Sequence, residues 1–404
     1  MHPEFDFFST FVQGLSSIEV AVAVIGFISA AAFAGFWATK FGYYVLPQPR
    51  ESRVSDFLPF NKLLSDGITI RCYNGSLARV FRVEGVDLAF VTDEKVMSML
   101  EARKSWIDGM SDLQVTCRVI TLRERIPLEE ETGDFGNKLL SDIASTWRSN
   151  LDRVYSNQHY IVLSVADRTD SLKDLNYASQ ALIATLSEYG VTTLYESEGS
   201  PAKDSPLSVY SKICSPISKP MPKINGAEGA HLNELLTSDH IHFTGENGII
   251  KFFSGDKQLY EVVMGIRSSG DYMDEGMIAS LLSIDCELTL LHNIRPIFKP
   301  HARALLMQQQ RMATMTSFSS DVVDQYSEVL AAIEDSDTNH QALTEYAMAV
   351  ILHGESKEEI DFGESEVQRI CRLYGVTPVR EGWVTQATFF NQFPTYETLP
   401  RTYR

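Results

Sequence analysis

Two stretches of the sequence decide the fold: HYIVLSVADRTDSLKDLNYASQALIATLSEYGVTTLYES at residues 159–197, and EYAMAVILHGESKEEIDFGESEVQRICRLYGVTPVREG at residues 345–382. Each reads as an apolar strand, a polar loop, an amphipathic helix and a second strand. The tripeptide Tyr-Gly-Val occurs at the same place in both stretches. Its glycines, Gly190 and Gly375, follow the predicted helix end, where a left-handed cap residue is favoured. The sequence therefore predicts an α/β (α+β) protein with two βαβ-like repeats.

A β-hairpin is predicted upstream of the first stretch. Alternating apolar residues flank Asn74-Gly75, a dipeptide that is a strong short hairpin signal. A helix that begins at Thr92 or Asp93 and a strand over Gln114–Leu122 follow. Further strands are predicted at Ile241–Phe243, Gly248–Ser254, Gln258–Ile266 and Cys286–Ile294.

The connecting segments also have patterns. Apolar residues at the helical interval predict a helix from Asn137 to Tyr155, and residues 203–229, rich in proline and serine, predict a long irregular loop. Pro296 and Pro300 are expected to end the strand before them, and helices are predicted from His301 and through Val322–Ile333.

The composition is that of a folded, acidic protein. Hydrophobic residues make up 44% and charged residues 22% of 404 residues, a length that predicts two or three domains. There are 35 Lys+Arg against 53 Asp+Glu, which gives a net charge of −18. Such a surface repels phosphate backbones, so direct binding of nucleic acid is not expected.

The cysteines predict a reduced protein. They are far apart, odd in number and form no CxxC pair, which fits neither a disulfide framework nor a zinc site. We interpret them as structural thiols. They are Cys72, Cys117, Cys214, Cys286 and Cys371.

One segment departs from the globular pattern. Residues 20–39, VAVAVIGFISAAAFAGFWAT, carry no charge, and a helix of that length covers about 30 Å, enough to span a bilayer. The flank before it is acidic and Lys40 follows it, so the positive-inside rule places the later chain in the cytoplasm. A buried core helix is one alternative. A cleaved signal peptide is the other, although no basic leading segment is present.

Seven residues of this N-terminal transmembrane helix and its flank are candidate anchor residues. Small residues every four positions form a face that another membrane helix can approach closely. These are Gly26, Ala30 and Ala34. Aromatic and basic side chains crowd the other end, where such groups lie at the headgroup level. These are Trp37, Lys40, Tyr43 and Tyr44.

The predicted organisation is therefore an anchor followed by a cytoplasmic, multi-lobed domain. Its parts are the anchor at 1–45, a hairpin-rich α+β subdomain at 46–128, the first βαβ-like lobe and the proline-rich loop at 129–230, a β-rich segment at 231–300, and a helical segment with the second lobe at 301–404.

Common catalytic motifs do not occur in the sequence. It lacks GxxxxGK[ST], GxGxxG, GxSxG and HExxH, which argues against phosphate-loop, dinucleotide, hydrolase and zinc-protease sites. His240 and His242 lie two apart on a predicted strand, so both point to one side, as two metal ligands would. His231 or His292 could approach them in space. A structural histidine pair is the favoured interpretation.

Two sets of charged residues are interpreted as structural rather than functional. The carboxylates of the hairpin region are expected to be turn and cap residues. They are Asp66, Glu84, Asp87 and Asp93. A basic run is read as a solvated helix face, with a docking surface for an acidic partner as the alternative. It comprises Arg295, Lys299, Arg303 and Arg311.

Both ends of the cytoplasmic part resemble one family. The elements DG at 66–67, NGS at 74–76 and RVEGVD at 82–87 are similar to the opening domain of the CagE/TrbE/VirB family, the large ATPases of conjugation and type IV secretion. The segment at 380–404 resembles the family's W-x-x-Q-x-x-x-x-x-Q-x-P pattern. Its matching residues are Trp383, Gln386, Gln392 and Pro394. The resemblance runs from about Phe57 to Arg404, and a Dot/Icm-like or plasmid-transfer branch is compatible with it.

The resemblance implies a role in a larger machine. It implies a hexamer or a hexamer of dimers at the cytoplasmic face of the inner membrane, with inner-membrane secretion components and other secretion ATPases as partners. The ATP- and Mg-dependent motor of the family begins after the point where this sequence stops, so no cofactor is expected in residues 1–404. The expected function is a non-catalytic scaffold or docking domain for that motor. The alternative is a self-contained membrane-anchored enzyme that uses His240 and His242.

Overall fold

The computed structural model describes residues 53–86, 91–126, 138–150, 154–196, 204–220, 231–244, 247–268, 275–297, 299–315 and 343–395, with Ser29 and Ser327. The chain divides into a unit of residues 1–53 and a unit of residues 54–404. The strands and helices below belong to the second unit. The finer boundaries predicted within it stay predictions.

The first half of this unit begins with a 3-10 turn at Val54–Phe57. Its elements are β1 (Phe60–Leu63), β2 (Ile70–Cys72), β3 (Leu77–Val83), α1 (Asp93–Leu113), β4 (Thr116–Arg125), α2 (Lys138–Asn150), β5 (Tyr155–Val165), α3 (Ser171–Thr185) and β6 (Val191–Thr193). Two short helices follow, α4 (Ser208–Cys214) and α5 (Leu232–Leu235).

The second half repeats the same order of elements. They are β7 (His240–Phe243), β8 (Ile249–Ser254), β9 (Lys257–Ser268), α6 (Glu275–Leu281), β10 (Glu287–Ile297), α7 (Lys299–Met315), β11 (Leu343–Gly354), α8 (Lys357–Leu373) and β12 (Thr377–Arg380). Helix α9 (Thr385–Phe390) ends the described elements.

Within the described residues, the strands form one sheet in the order β1-β2-β3-β5-β4-β10-β11-β9-β8-β7, with β6 on β3 and β12 on β9. The order is the same from either end, with β1 to β6 corresponding to β7 to β12. The two halves meet where β4 and β10 pair antiparallel, with Ile120 opposite Leu291. The chain therefore contains one β-β-β-α-β-α-β-α-β unit twice.

The two predicted βαβ-like repeats are confirmed, in a split form. Strands β5 and β6 are both antiparallel to β3, so they run parallel to each other with β3 between them. Strands β11 and β12 have the same relation to β9. Gly190 and Gly375 both have left-handed backbones, with φ of 64° and 68°. The Tyr-Gly-Val signal thus marks the same turn in both halves.

The predicted hairpin is also confirmed. β2 and β3 pair antiparallel around Asn74-Gly75, and Gly75 has a φ of 84°. The Asn74 Oδ1 accepts hydrogen bonds from the Ser76 backbone N–H at 3.1 Å and from the Ser76 hydroxyl at 2.6 Å. An asparagine side chain that holds its own turn explains why this dipeptide is a strong signal.

The two faces of the sheet are covered differently. On one face, α1 and α3 pack over the first half, and α6 and α8 pack over the second half, in two separate apolar clusters. On the opposite face both halves share one core, to which Ile120 and Leu291 belong. That core includes an aromatic cluster. Its members are Phe57, Phe60, Tyr210, Phe243, Phe252, Phe389, Phe390 and Phe393.

The prediction of an irregular loop at residues 203–229 was wrong for its first part. Helix α4 lies there and buries all of its side chains except Lys212. Tyr210 packs on Phe60, with 4.5 Å between ring centroids. Residue 215 precedes Pro216, and a residue before proline disfavours helical backbone, so the helix ends at Cys214. The proline-rich composition hid a buried turn of helix.

Two element boundaries also differ from the predictions. Helix α2 is described over Lys138–Asn150, and Tyr155, which was predicted to be its last residue, instead begins β5. Strand β10 continues through Pro296 to Ile297. Beyond Ile294 only β11 pairs with it, so a proline there interrupts at most one ladder of hydrogen bonds.

Some predictions concern residues outside the described ranges. These include the helix through Val322–Ile333 and the seven anchor residues, which are Gly26, Ala30, Ala34, Trp37, Lys40, Tyr43 and Tyr44. Within the described ranges, no helix has the length and apolar character needed to cross a bilayer.

The cysteines are structural thiols, as predicted. All five are free and buried. Burial raises the pKa of Cys117 and Cys286 to about 12, and the pKa of Cys72 and Cys371 to about 11. Because the thiolate is the reactive form, these side chains are unreactive at neutral pH.

Candidate functional site

A row of polar side chains crosses four adjacent strands, β4, β10, β11 and β9, near one end of those strands. Glu287 on β10 lies opposite His353 on β11, and His353 lies opposite Glu261 on β9. Glu124 lies on β4, where the neighbouring Arg125 backbone N–H donates to Glu287 Oε1 at 2.7 Å. These four side chains line one small cavity on the face of the sheet that carries the shared core. We call them the polar row.

One end of the polar row, at β11 and β9, is a chain of hydrogen bonds. His353 Nδ1 lies 2.8 Å from Glu261 Oε1, and His353 Nε2 lies 2.9 Å from Thr289 Oγ1. Burial alone would lower the pKa of His353, but the charge of Glu261 and its hydrogen bond outweigh burial and raise it. The pair therefore stabilises the fold fully below the ordinary histidine pKa of 6.5. This contribution is lost as the pH rises through the raised pKa.

The other end of the row is an ion-pair cluster. Glu124 bonds Lys212 Nζ at 2.5 Å and Lys219 Nζ at 2.8 Å. Burial raises the pKa of Glu124, but these two lysines outweigh burial and lower it. Lys212 lies on α4, and Lys219 lies in the segment after it. The helix and this segment therefore line the same cavity as the polar row.

A wide cleft opens above the polar row. Its volume is about 1270 Å³, and it shares Glu287, His353 and Lys219 with the smaller cavity beneath it. The first turn of α8 forms one wall. That helix begins with a capping box, in which the Ser356 hydroxyl accepts from the Glu359 backbone N–H at 3.2 Å. The cleft is thus built from rigid elements of both halves of the sheet.

The sequence did not point to this site. Its members come from four strands that lie far apart in the chain, and strand register alone brings them together. The available signal was a single histidine, His353, at the end of the apolar run YAMAVIL. A lone polar residue in a core strand indicates a hydrogen-bonded partner but does not identify it.

The histidine pair considered as a metal site lies away from the polar row. His240 and His242 are exposed on β7, at the edge of the sheet. His231 Nδ1 lies 3.0 Å from the Tyr73 hydroxyl, and His292 Nδ1 lies 2.7 Å from the Tyr346 hydroxyl. Within the described ranges, no three His, Cys, Asp or Glu side chains come together in a way that could hold a metal ion.

The charged groups agree in part with their interpretation. Asp66 is a turn residue, whose Oδ1 accepts from the Thr69 backbone N–H at 2.9 Å. Asp93 begins α1, whereas Asp87 lies outside the described residues. In the basic run, Arg295 pairs with Glu345 across β10 and β11, while Arg303 and Arg311 are exposed on α7.

The segment at the C-terminal end separates into an exposed part and a buried part. Trp383 is 93% exposed, and Gln386 is exposed three residues later. Gln392 and Pro394 are buried with the aromatic rings of α9 and its end. The buried rings fix this part of the chain, while the Trp383 side chain extends into solvent.

Comparison with known proteins identifies the class. Residues 68–171 match the N-terminal domain of the type IV secretion system ATPase VirB4/TrbE. Residues 207–401 match the CagE, TrbE, VirB family, described as a component of the type IV transporter system. The protein is thus a component of type IV secretion, related to its VirB4/TrbE-type ATPases.

The chain belongs to the CagE/TrbE/VirB family. The two matches fall on the two halves of the duplicated sheet, the first from β2 into α3 and the second from α4 onward. No curated protein matches the chain.

Proposed function

We propose that residues 1–404 are a non-catalytic scaffold that docks a type IV secretion ATPase onto inner-membrane components and supports assembly of its ring. Membership of the CagE/TrbE/VirB family supports a role within a type IV secretion system. Such a role requires exposed recognition surfaces on a rigid body rather than a reactive centre.

The observation that carries this proposal is the exposed side chain of Trp383. Tryptophan is costly to leave in water and is the residue most enriched where protein interfaces concentrate their binding energy. The Glu381 backbone N–H donates to the Val263 carbonyl of β9 at 2.9 Å, so the chain before Trp383 is held against the sheet. The side chain is therefore presented by a fixed backbone, which lowers the entropic cost of binding a partner.

Helix α2 adds a second exposed apolar surface. Leu139, Leu140 and Ile143 are 66%, 47% and 57% exposed. An amphipathic helix normally buries that face. Its location between β4 and β5, outside the two clusters of packed helices, suits contact with another subunit.

The enzyme alternative has less support. His240 and His242 are exposed at a sheet edge, and among the described residues no three His, Cys, Asp or Glu side chains come together in a way that could hold a metal ion.

Replacing Trp383 by alanine tests the docking surface. We expect recovery of inner-membrane secretion components with the tagged protein to fall at least tenfold, because a buried interface tryptophan contributes about 2 kcal/mol or more. The thermal midpoint should stay unchanged, since an exposed side chain contributes little to folding. Tyr177→Ala, at an aromatic residue exposed on α3, is the matched control and should leave recovery intact. Equal recovery with Trp383→Ala and wild type would count against the proposal.

Deleting residues 1–45 tests the predicted anchor. We expect the shortened protein to move from the membrane fraction to the soluble fraction, because the uncharged segment at 20–39 would be lost. The measurement is fractionation followed by immunoblotting, with a carbonate wash to remove peripheral proteins. Unchanged membrane association after the deletion would contradict the anchor.

A further inference from the structure

The small cavity that adjoins the cleft contains a carboxylate oxygen that has no hydrogen-bond partner among the described residues. Glu261 is 2% exposed, and its Oε1 is bonded to His353. Within the described residues, its Oε2 is buried and accepts no hydrogen bond. A buried carboxylate oxygen left unpaired is unfavourable, because it has lost its hydrogen bonds to water. Glu261 lines this small cavity, which shares Glu287 and His353 with the cleft, so a donor that passes through the cleft into the cavity would satisfy its free oxygen.

The mouth of the cleft is acidic. Carboxylates outnumber cationic side chains around it, and the acidic members are Asp285, Glu287, Glu355, Glu358 and Glu359. Of the cations that line it, Lys219 is already paired with Glu124. The field at the entrance therefore attracts positive charge.

The walls of the cleft are partly apolar. Ile126 and Phe362 line it with 42% and 48% of their surface exposed, and Ile217 and Leu259 line it as well. Apolar walls around a few placed polar groups are typical of sites that bind a polypeptide or a small ligand.

We propose that this cleft binds a basic segment of a partner protein, with one lysine or arginine side chain inserted to Glu261 and apolar neighbours packed on Ile126 and Phe362. The inference rests on the proposed docking function and names the chemistry of one docked partner. An ammonium or guanidinium group supplies the hydrogen-bond donor that Glu261 lacks. A metal ion fits less well, because within the described ranges no three His, Cys, Asp or Glu side chains come together as ligands.

The first experiment measures binding of a probe peptide to the purified full chain by fluorescence anisotropy. The probe is a fluorescein-labelled peptide of alternating lysine and leucine, and a glutamate and leucine peptide is the comparison. We expect saturable one-to-one binding of the lysine peptide alone. Reversing two exposed wall charges, with Glu355→Lys and Glu358→Lys together, should weaken binding at least tenfold.

The matched control reverses two exposed charges elsewhere. Glu94→Lys and Glu101→Lys on α1 change the net charge by the same amount and should leave the affinity within twofold. Equal weakening by both double variants would mean general attraction to an acidic protein and would overturn the site. No weakening by the wall variant would overturn it as well.

Two further measurements test whether the side chain reaches Glu261. Glu261→Gln keeps the shape and removes one charge, so binding of the lysine peptide should weaken about tenfold. A peptide with trimethyl-lysine keeps the charge but cannot donate a hydrogen bond, and it should also bind about tenfold more weakly. This second arm needs no change in the protein, so it holds even if Glu261→Gln impairs folding. Affinity equal to that of the unmodified peptide would overturn insertion. These titrations use the isolated chain, whereas the Trp383 co-purification tests the proposed docking function. The cleft can therefore fail its test while the docking function passes its own.

Discussion

Replacing Gly248 by alanine is expected to lower the free energy of unfolding by about 3 kcal/mol or more. Gly248 lies in the turn between β7 and β8 with a φ of 62°, and a Cβ added there would lie 1.7 Å from the Glu381 carbonyl oxygen. The left-handed backbone costs an ordinary residue about 1–2 kcal/mol. Forcing the backbones apart adds about 1–3 kcal/mol. The Glu381 backbone is held to β9 through Val263, so it cannot move away without breaking that hydrogen bond.

Gly255→Ala isolates the steric part of this effect. Gly255 has a φ of 58°, and no atom lies within 4 Å of its added Cβ. The control should therefore cost only the backbone term, about 1–2 kcal/mol. Urea unfolding followed by circular dichroism gives both values. Similar losses in the two variants would show that the close approach of Glu381 is not what makes glycine necessary at position 248.

The repeated unit could be predicted from the sequence because its signals are local. The Tyr-Gly-Val turns at Gly190 and Gly375 follow from the geometry of a helix end, and Asn74-Gly75 follows from the geometry of a tight turn. Apolar alternation placed β8, β9 and β10 within a few residues of their observed bounds. Each of these signals depends on residues only a few positions apart.

The joining of the two halves and the polar row could not be predicted in this way. The pairing of β4 with β10 connects residues such as Ile120 and Leu291, and nothing near either residue specifies the other. The same register brings Glu124, Glu261 and His353 to one cavity. A carboxylate next to a lysine in space looks like an ordinary surface residue in the sequence. The candidate site is therefore a product of the duplicated sheet.

The prediction of an irregular loop in the proline-rich segment was wrong for a different physical reason. Helix α4 is too short to display a helical interval, and its stability comes from the core it enters rather than from its own propensity. Val209, Tyr210 and Ile213 belong to that core, while the Ser215 hydroxyl donates to the Leu236 carbonyl at 3.0 Å. Serine, which suggested a loop, supplies the hydrogen bonds that allow this segment to be buried.

Replacing Phe389 by alanine is expected to cost about 3–5 kcal/mol of unfolding free energy, the range for deleting a fully buried aromatic ring. Phe389 has no exposed surface, and its ring centroid lies 5.3 Å from that of Phe390 and 5.7 Å from that of Phe243 on β7. It therefore fastens α9 to the second half of the sheet. Phe362→Ala, which removes the same ring from a position 48% exposed, should cost less than about 1 kcal/mol.

Phe389→Ala also connects stability with docking. Trp383 precedes α9, so loosening that helix should also reduce recovery of membrane components, even though Phe389 itself is buried. Chemical unfolding gives the loss of stability, and co-purification gives the loss of docking. If Phe389→Ala destabilised the protein by less than Phe362→Ala, the aromatic cluster would not be what holds α9 in place. If it destabilised the protein but left recovery unchanged, Trp383 would not need a fixed backbone to bind.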